Sequence, residues 1–387
     1  MAIKEYLLKD ICYFQTGIGP LKDEINGEIP FVKLGNTNNN QIIYKYCNQI
    51  TTNRKEKCNI GDLLLCWSCS IGESFIVEEE CFFSTAFYKI CKKNNVFLNK
   101  YLHYYFIKNK KNIYLLGVGS VLKKANMKIL GNYSVKLPNL DEQQQIINII
   151  EPKEELFLKY NRVIDISNLD NFKKSWNNLI NIIEPFEKLK LHLLKRKTLL
   201  IKLLDDLYLL NSSKNEKDIL SFANLYNAKY KNQSLYIETS NIDENFSLIN
   251  NLKTINENKK PCRANLTPKE NSLIFGKLIG SKKLFPIYDK QYLNYVYSTG
   301  FYNISSNELD WYLFGFLNSN DFITQKNSNS SGTLMEGITI NGLKKIKIKL
   351  PKINYCLNSI LYLISKYNII IEKIDSIISY LINIYIV

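Results

Sequence analysis

The feature that most constrains this chain is that it repeats itself. Val135-Lys136-Leu137-Pro138 reappears 213 positions later as Ile348-Lys349-Leu350-Pro351. The same spacing aligns Gly119-Ser120-Val121-Leu122 with Gly332-Thr333-Leu334-Met335, and Leu130 with Leu343. Further upstream, Ser84-Thr85-Ala86-Phe87-Tyr88 matches Ser298-Thr299-Gly300-Phe301-Tyr302 at a spacing of 214. Leu98, Tyr101, Leu102 and Phe106 match Leu309, Tyr312, Leu313 and Leu317 at 211. Phe31 to Asn36 sits like Tyr236 to Asn241, and Ile11 with Phe14 like Phe222 with Leu225. Small drifts of this kind are what loop insertions produce. A duplication on this scale gives each half about 140 residues, the size of an ordinary domain, so two similar globules are expected rather than one large core.

Within a half, short β-branched and aromatic runs bounded by Asn, Gly and Pro read as strands: Ile29 to Leu34, Asp62 to Trp67, Ser74 to Val77 and Phe82 to Ile90. Leu98 to Lys108 has helical spacing. After each Leu-Pro the pattern turns helical, and Asp141 and Glu142 stand where a helix dipole favours acids. In the last segment Ile353, Leu357, Ile360, Ile364, Tyr367, Ile371, Ile374, Ile378, Leu381 and Tyr385 alternate spacings of four and three. A second seam runs through Leu179, Ile182, Phe186, Leu189, Leu193, Arg196, Leu200, Leu203, Leu207 and Leu210, interrupted only by Arg196. Two seams of similar length bury themselves most simply on each other as an antiparallel pair. The central stretch, about 48 Å long at 1.5 Å per residue, would then hold the globules apart. It contains its own small repeat, Asn148 to Pro152 and Asn181 to Pro185, whose prolines should start or kink helices. The expected fold is α+β: two duplicated α/β domains, 1–140 and 214–351, separated by long antiparallel coiled-coil helices at 141–213 and 352–387.

Lys and Arg number 51 against 36 Asp and Glu, a net charge of +15. That sign favours a polyanionic partner such as nucleic acid, although the lysines are spread along the whole chain. Lys4, Glu5, Lys9 and Asp10 rule out a leader-like apolar start, so a cytoplasmic protein is expected. Glu372, Lys373 and Asp375 make the last apolar stretch amphipathic rather than membrane-spanning. Cys66 and Cys69 have a C-x-x-C spacing that Cys58 or Cys81 could complete, yet in a strand the two thiols would point to opposite faces. Reduced thiols and no metal are expected.

The junction Leu137-Pro138-Asn139-Leu140-Asp141-Glu142-Gln143-Gln144 and the strand start Gly61-Asp62-Leu63-Leu64 resemble the specificity subunits of type I restriction-modification systems. The second junction, Leu350-Pro351-Lys352-Ile353, lacks the Glu-Gln pair. The resemblance implies two target recognition domains that read the halves of a split site on double-stranded DNA. It also implies a helical spacer that sets the gap, docking of modification subunits and, for cleavage, of restriction subunits.

Catalytic signatures are missing from the sequence. There is no Asn-Pro-Pro or Asp-Pro-Pro, and Gly276 to Lys282 does not have the spacing of a phosphate-binding loop. His103 and His192 fall in helical stretches, and no nucleophile–base set can be assembled around them. A non-catalytic chain without a cofactor is expected. Recognition needs Lys or Arg at phosphates and polar side chains at base edges. The first-domain candidates are Lys33, Asn36, Asn38, Asn39, Trp67, Ser68, Ser70, Lys123 and Lys124. The second-domain candidates are Asn241, Arg263, Lys277, Ser281, Lys282, Lys283 and Thr333. The competing readings are a coiled-coil scaffold that pairs two protein-binding globules, or the recognition subunit of a related methyltransferase or nuclease type.

Overall fold

Each half of the sequence opens and closes on two strands that pair with each other. In the computed structural model, which describes residues 3–19, 27–34, 37–38, 41–47, 57–119, 122–244, 246–248, 252–256, 260–332 and 336–386, Lys4–Leu7 runs antiparallel to Ser134–Leu137. Ser212–Asp218 pairs in the same way with Lys347–Pro351. The chain divides into two compact units, Met1–Glu184 with Leu381–Val387, and Pro185–Tyr380.

In the first unit a four-stranded antiparallel sheet has the order Cys12–Thr16, Phe87–Lys92, Leu63–Cys66, Ser74–Ile76. Leu63, Leu64, Leu65 and Cys66 are all buried, as a strand covered on both faces requires. A second sheet places Ile29–Val32 between Lys45–Cys47 and Phe82–Phe83, with the last pairing parallel. The run expected as one strand from Phe82 to Ile90 is therefore two strands, which a turn at Thr85 and Ala86 sends into different sheets. Helix Asn99–Leu115 packs its Tyr101, Leu102, Tyr104 and Phe106 inward.

The second unit repeats this plan. Asn224–Tyr226, Phe301–Ser305, Ser272–Gly276 and Leu284–Ile287 form the four-stranded sheet in the corresponding order. Leu235–Ile237 pairs parallel with Tyr295–Ser298 and antiparallel with Lys253–Thr254. Backbone details repeat as well: Gly119 and Gly332 both take positive φ, 126° and 147°, where an L side chain would be strained. Asn126 and Thr339 both cap a short helix, accepting from the amides of Ile129 and Gly342.

The junction residues act as clamps. Gln143 is fully buried; its amide donates to the carbonyls of Val96 and Pro138, 2.9 Å each, and its oxygen accepts from the Leu98 amide. The second unit lacks that glutamine but builds a related tie: Asn358 accepts from the Trp311 amide at 2.9 Å and donates to the Asn307 carbonyl. Helix Leu140–Ile150 thus follows Pro138 at once, whereas helix Ser359–Leu381 starts later than the sequence pattern suggests, leaving Ile353 exposed.

The longest element is helix Leu169–Asn211, which runs through Pro185. In the first unit it buries Phe172, Trp176, Leu179 and Ile183, with Trp176 stacked on Phe172. In the second unit it packs antiparallel on Ser359–Leu381. Lys190 pairs with Asp375 at 2.5 Å, and Lys197 donates to Asn368 at 3.0 Å. Leu204 shares a core with Leu361 and Ile364. The C-terminal seam is buried at Ile364, Ile371, Ile374 and Ile378 as its spacing predicts. The central seam is corrected: Leu189, Leu203 and Leu210 are exposed, and the buried positions are Leu193, Lys197, Leu204, Tyr208 and Asn211. Helix Asp310–Asn318 sits directly against this stripe; a Cβ on Gly315 would come within 2.5 Å of the Tyr208 Cβ.

A polar cluster lies inside the second unit. Lys197 is 1% exposed, donates to Ser247 and Asn368, and is pushed down to about 8 by burial, against the pull of Asp243 and Glu372. Burial pushes Glu372 up to about 7, and the Tyr292 hydroxyl donates to it at 3.3 Å. Between pH 8 and 10.5 the unfolded chain holds more of the lysine proton than the folded one, so stability rises with pH in that window. Between pH 4.5 and 7 the folded state holds more of the Glu372 proton, so that contribution is lost as pH rises. Taken by themselves these two groups place a minimum between the windows, while His103, which burial pushes down to about 3, adds a rise of stability across pH 3 to 6.5. Lys197→Met should reduce the high-pH rise, leaving the share from Lys326, which burial also holds near 8. Glu372→Gln should remove that group's downward contribution, so that the variant's curve rises relative to the parent's between pH 5 and 7. Thermal midpoints recorded from pH 5 to 10 check this; curves parallel to the parent's would show that neither group titrates in the core.

Candidate nucleic-acid interface

The two units present the same hairpin at the same place. In the first, residues 67–73 join Leu63–Cys66 to Ser74–Ile76; in the second, residues 277–283 join Ser272–Gly276 to Leu284–Ile287, a loop of equal length. Each loop is tied to two neighbouring segments by matching backbone bonds. The Trp67 amide donates to Ala86 and the Lys277 amide to Gly300. The Trp67 carbonyl accepts from Ala125 and the Lys277 carbonyl from Ile338, both at 2.9 Å. The Cys69 amide donates to Lys123 and the Ile279 amide to Glu336. Trp67 and Lys277 are therefore equivalent positions, although nothing in their side chains says so.

Both side chains lie on the same tyrosine. Trp67 stacks on Tyr88 with centroids 5.2 Å apart and planes 14° apart, and its indole N–H donates to the Thr85 carbonyl at 2.6 Å. Lys277 sets its ammonium 4.1 Å from the Tyr302 ring centroid, a cation–π contact. Half-burial there pushes the Lys277 pKa down. In the first unit the cations come from the neighbouring segment: Lys124 reaches over Trp67, 5.9 Å from its centroid, and Lys123 over Tyr114 at 4.8 Å. Ser68 bridges Lys124 through the backbone. Ser70 is half-buried in the same turn, its amide donating to the Ser68 carbonyl.

Several sequence candidates thus come together: Trp67, Ser68, Ser70, Lys123 and Lys124 in one unit, and Lys277, Ser281, Lys282 and Lys283 in the other. Lys283 donates to the Thr239 carbonyl, which brings the 238–241 turn to the second hairpin. Asn241 belongs to that turn, but its side-chain oxygen accepts from the Glu238 amide at 2.8 Å and so holds the turn shut. Arg263 is exposed, and its carbonyl accepts from Thr299. Lys33 sets its ammonium 5.7 Å from the Phe31 ring centroid. Asn38 lies in the short strand Thr37–Asn38. Asn36, Asn39 and Thr333 fall outside the described residues.

Sequence reasoning missed two groups. Val118 and Leu122, both exposed, flank Lys123, and Leu278 and Ile279 are exposed at the tip of the second hairpin. The other is Lys326, buried at 1% exposure, which donates to the carbonyls of Gly276 and Ser281 and so holds the second hairpin from within. The equal loop lengths were the one available signal, visible only once the strands are aligned.

The remaining reactive groups have structural surroundings. Cys66 ends its strand, buried, with its thiol donating to the Ser68 carbonyl, while Cys69 sits in the following turn at φ 63°. Cys58 and Cys81 face each other across a buried antiparallel bridge. Among the described residues no three His, Cys, Asp or Glu gather as a metal site would require. His103 is buried against Ser74 Oγ at 2.9 Å, and burial pushes it down to about 3.

The two copies of the α+β frame keep the same backbone bonds around the hairpin and change the side chains it carries. Residues 3–164 match the family model described as the type I restriction modification DNA specificity domain. The resemblance carried by the Leu-Pro junction stands: the chain is similar to type I specificity subunits. The type I restriction enzyme MjaVIII specificity subunit of Methanocaldococcus jannaschii is 26% identical over 117 residues, 30% of this chain. That match spans 28% of the relative's length. Among solved structures, the type I restriction-modification S subunit from M. genitalium aligns over 98% of this chain and 91% of its own, with 13% identity and a TM-score of 0.47. A chain from a structure on complex assembly and conformational transition of the type I R-M system aligns over 97% and 91%, with 9% identity and a TM-score of 0.44.

Lys326→Met would leave two buried carbonyls without their donor, a loss of about 1–3 kcal/mol. Hydrogen exchange should rise at 277–283 and stay unchanged at 67–73. Equal protection of 277–283 in variant and parent would show that the lysine does not hold the loop.

Proposed function

We propose that this chain is the DNA recognition subunit of a type I restriction-modification enzyme. It reads a bipartite double-stranded site with two domains, 1–140 and 214–351, joined by helical spacers at 141–213 and 352–387. It neither cuts nor methylates; those reactions belong to modification and restriction subunits that dock on it in the cytoplasm. The observation that carries this reading is the hairpin frame, held in each unit by three equivalent backbone bonds to the neighbouring segments, which offers an indole in one unit and an ammonium in the other. One frame with two chemistries is what recognition of two unlike half-sites needs. The match of residues 3–164 to a DNA specificity domain supports the same reading.

Docking is supported by a feature of the second unit. Leu189, Leu203 and Leu210 lie on one exposed helical stripe at multiples of seven, and Leu363, Ile370 and Ile377 on another. Exposed apolar residues recurring along a helix invite further helices to pack on them. No helix among the described residues is long and apolar enough to cross a membrane.

The test is methylation mapping in a host that carries this chain with its modification subunit. Two short defined sequences around a fixed gap are expected; a continuous motif or no methylation would overturn the proposal. Lys123→Ala with Lys124→Ala should weaken binding to all sequences alike and lower the slope of log affinity against log salt by about 1 per lost phosphate contact. Unaltered slopes in a fluorescence titration would remove these lysines from the interface.

A further inference from the structure

The two hairpins differ most at their tips: the amides of Cys69 and Ile279 make the equivalent bond to the neighbouring segment, but Cys69 takes a φ of 63° and the left-handed position of the second loop is Gly280. After Trp67 come Ser68 and Cys69; at the equivalent positions of the second unit, Leu278 and Ile279 stand 41% and 43% exposed. These aliphatic side chains are not exposed because the loop is loose. Leu278 bridges Gly337, the Ile279 amide donates to the Glu336 carbonyl at 3.0 Å, and the Gly280 amide donates to the Asn327 side chain at 2.9 Å. Lys326 ties down the Ser281 carbonyl from inside. A fixed backbone thus presents two adjacent apolar side chains to solvent, within a loop that also carries Lys277, Lys282 and Lys283.

Apolar side chains flanked by ammonium groups match duplex DNA at two levels. The cations suit phosphates and carry no sequence information, whereas Leu and Ile suit thymine methyl groups and the faces of base steps. At the matching positions of the first unit, Ser68 offers a hydroxyl that hydrogen-bonds to base edges. Resting on the DNA-reading function above, we propose that Leu278 and Ile279 are specificity-determining residues. They read the half-site of the second unit through apolar contact with its bases, while the corresponding tip of the first unit reads its half-site by hydrogen bonding.

The experiment exchanges the tips: Leu278→Ser with Ile279→Cys, assembled with the modification subunit and mapped by methylation, beside the unaltered chain. The expected result is that one half of the motif relaxes, with methylation at sites mismatched there rising about tenfold relative to matched sites, and the other half keeps its sequence. An unchanged motif, or equal relaxation of both halves, overturns the assignment while leaving the recognition function intact. If the unaltered chain directs no split motif, the function itself falls and the assignment with it. Should the exchanged chain methylate nothing, Leu278→Met with Ile279→Val decides: a retained motif supports the need for apolar side chains, and its loss overturns it. Binding of the unaltered chain to anionic phospholipid vesicles that the exchange abolishes, with the motif unchanged, would assign the tip to a lipid surface instead.

Discussion

The antiparallel packing of helix Ser359–Leu381 on the second half of Leu169–Asn211 fixes the register of everything built around it in the second unit. Lys190 meets Asp375, Lys197 meets Asn368 and Leu204 shares a core with Leu361; each step of seven forward on one helix is seven back on the other. The register continues past the helix end. Asn211 donates from its side chain to the Ile353 carbonyl, and its own carbonyl accepts from the Lys352 amide. The strands Ser212–Asp218 and Lys347–Pro351 therefore begin already aligned. A one-residue slip would expose Leu204 and leave Lys197 without its partners, which is why a buried cation can be tolerated here at all: it is satisfied only in one register.

The hairpins follow the opposite logic. Their positions are set by main-chain bonds, from Trp67 or Lys277 to the same two neighbouring segments, and those bonds are indifferent to side-chain type. An indole can give way to an ammonium without moving the frame, because Tyr88 and Tyr302 offer each the same ring face. A surface whose side chains differ between two copies gains by resting on groups that do not change when it changes.

What was legible in the sequence follows from that division. The duplication, the strands at Ile29–Val32, Leu63–Cys66 and Ser74–Ile76 and the C-terminal seam could be read because they depend on apolar pattern, and Ile364, Ile371 and Ile378 lie buried where the spacing put them. The central seam was read correctly at Leu179 and Leu193 and one position off from Arg196 onward, where Lys197, Leu204, Tyr208 and Asn211 are the buried residues. Leucines at 189, 203 and 210 outrank Lys197, Tyr208 and Asn211 on any scale of apolarity, yet burial there was decided by hydrogen bonds to Ser247, Asn368 and Ile353, partners far away in the sequence. The second junction looked degenerate because Asn358 does through the Trp311 amide what Gln143 does through that of Leu98. The equivalence of Trp67 and Lys277 was invisible for the same reason: backbone bonds leave no residue signature.

The excess of lysine is also sharper after the structure than before it. Lys89, Lys153, Lys190 and Lys366 are tied to Asp62, Glu184, Asp375 and Asp289, and Lys197 and Lys326 are buried with polar partners. These cations hold the fold; the four in ion pairs are cancelled by their acids, and the two buried ones are not presented to a partner. By contrast Lys124 and Lys282 are exposed beside hairpins whose backbones are pinned. A charge of +15 is a weak statement about function when its lysines are spread along the whole chain and some of them are buried. Lysines that flank a rigid, duplicated loop make a stronger one, because a polyanion meets them at a geometry the fold has already fixed.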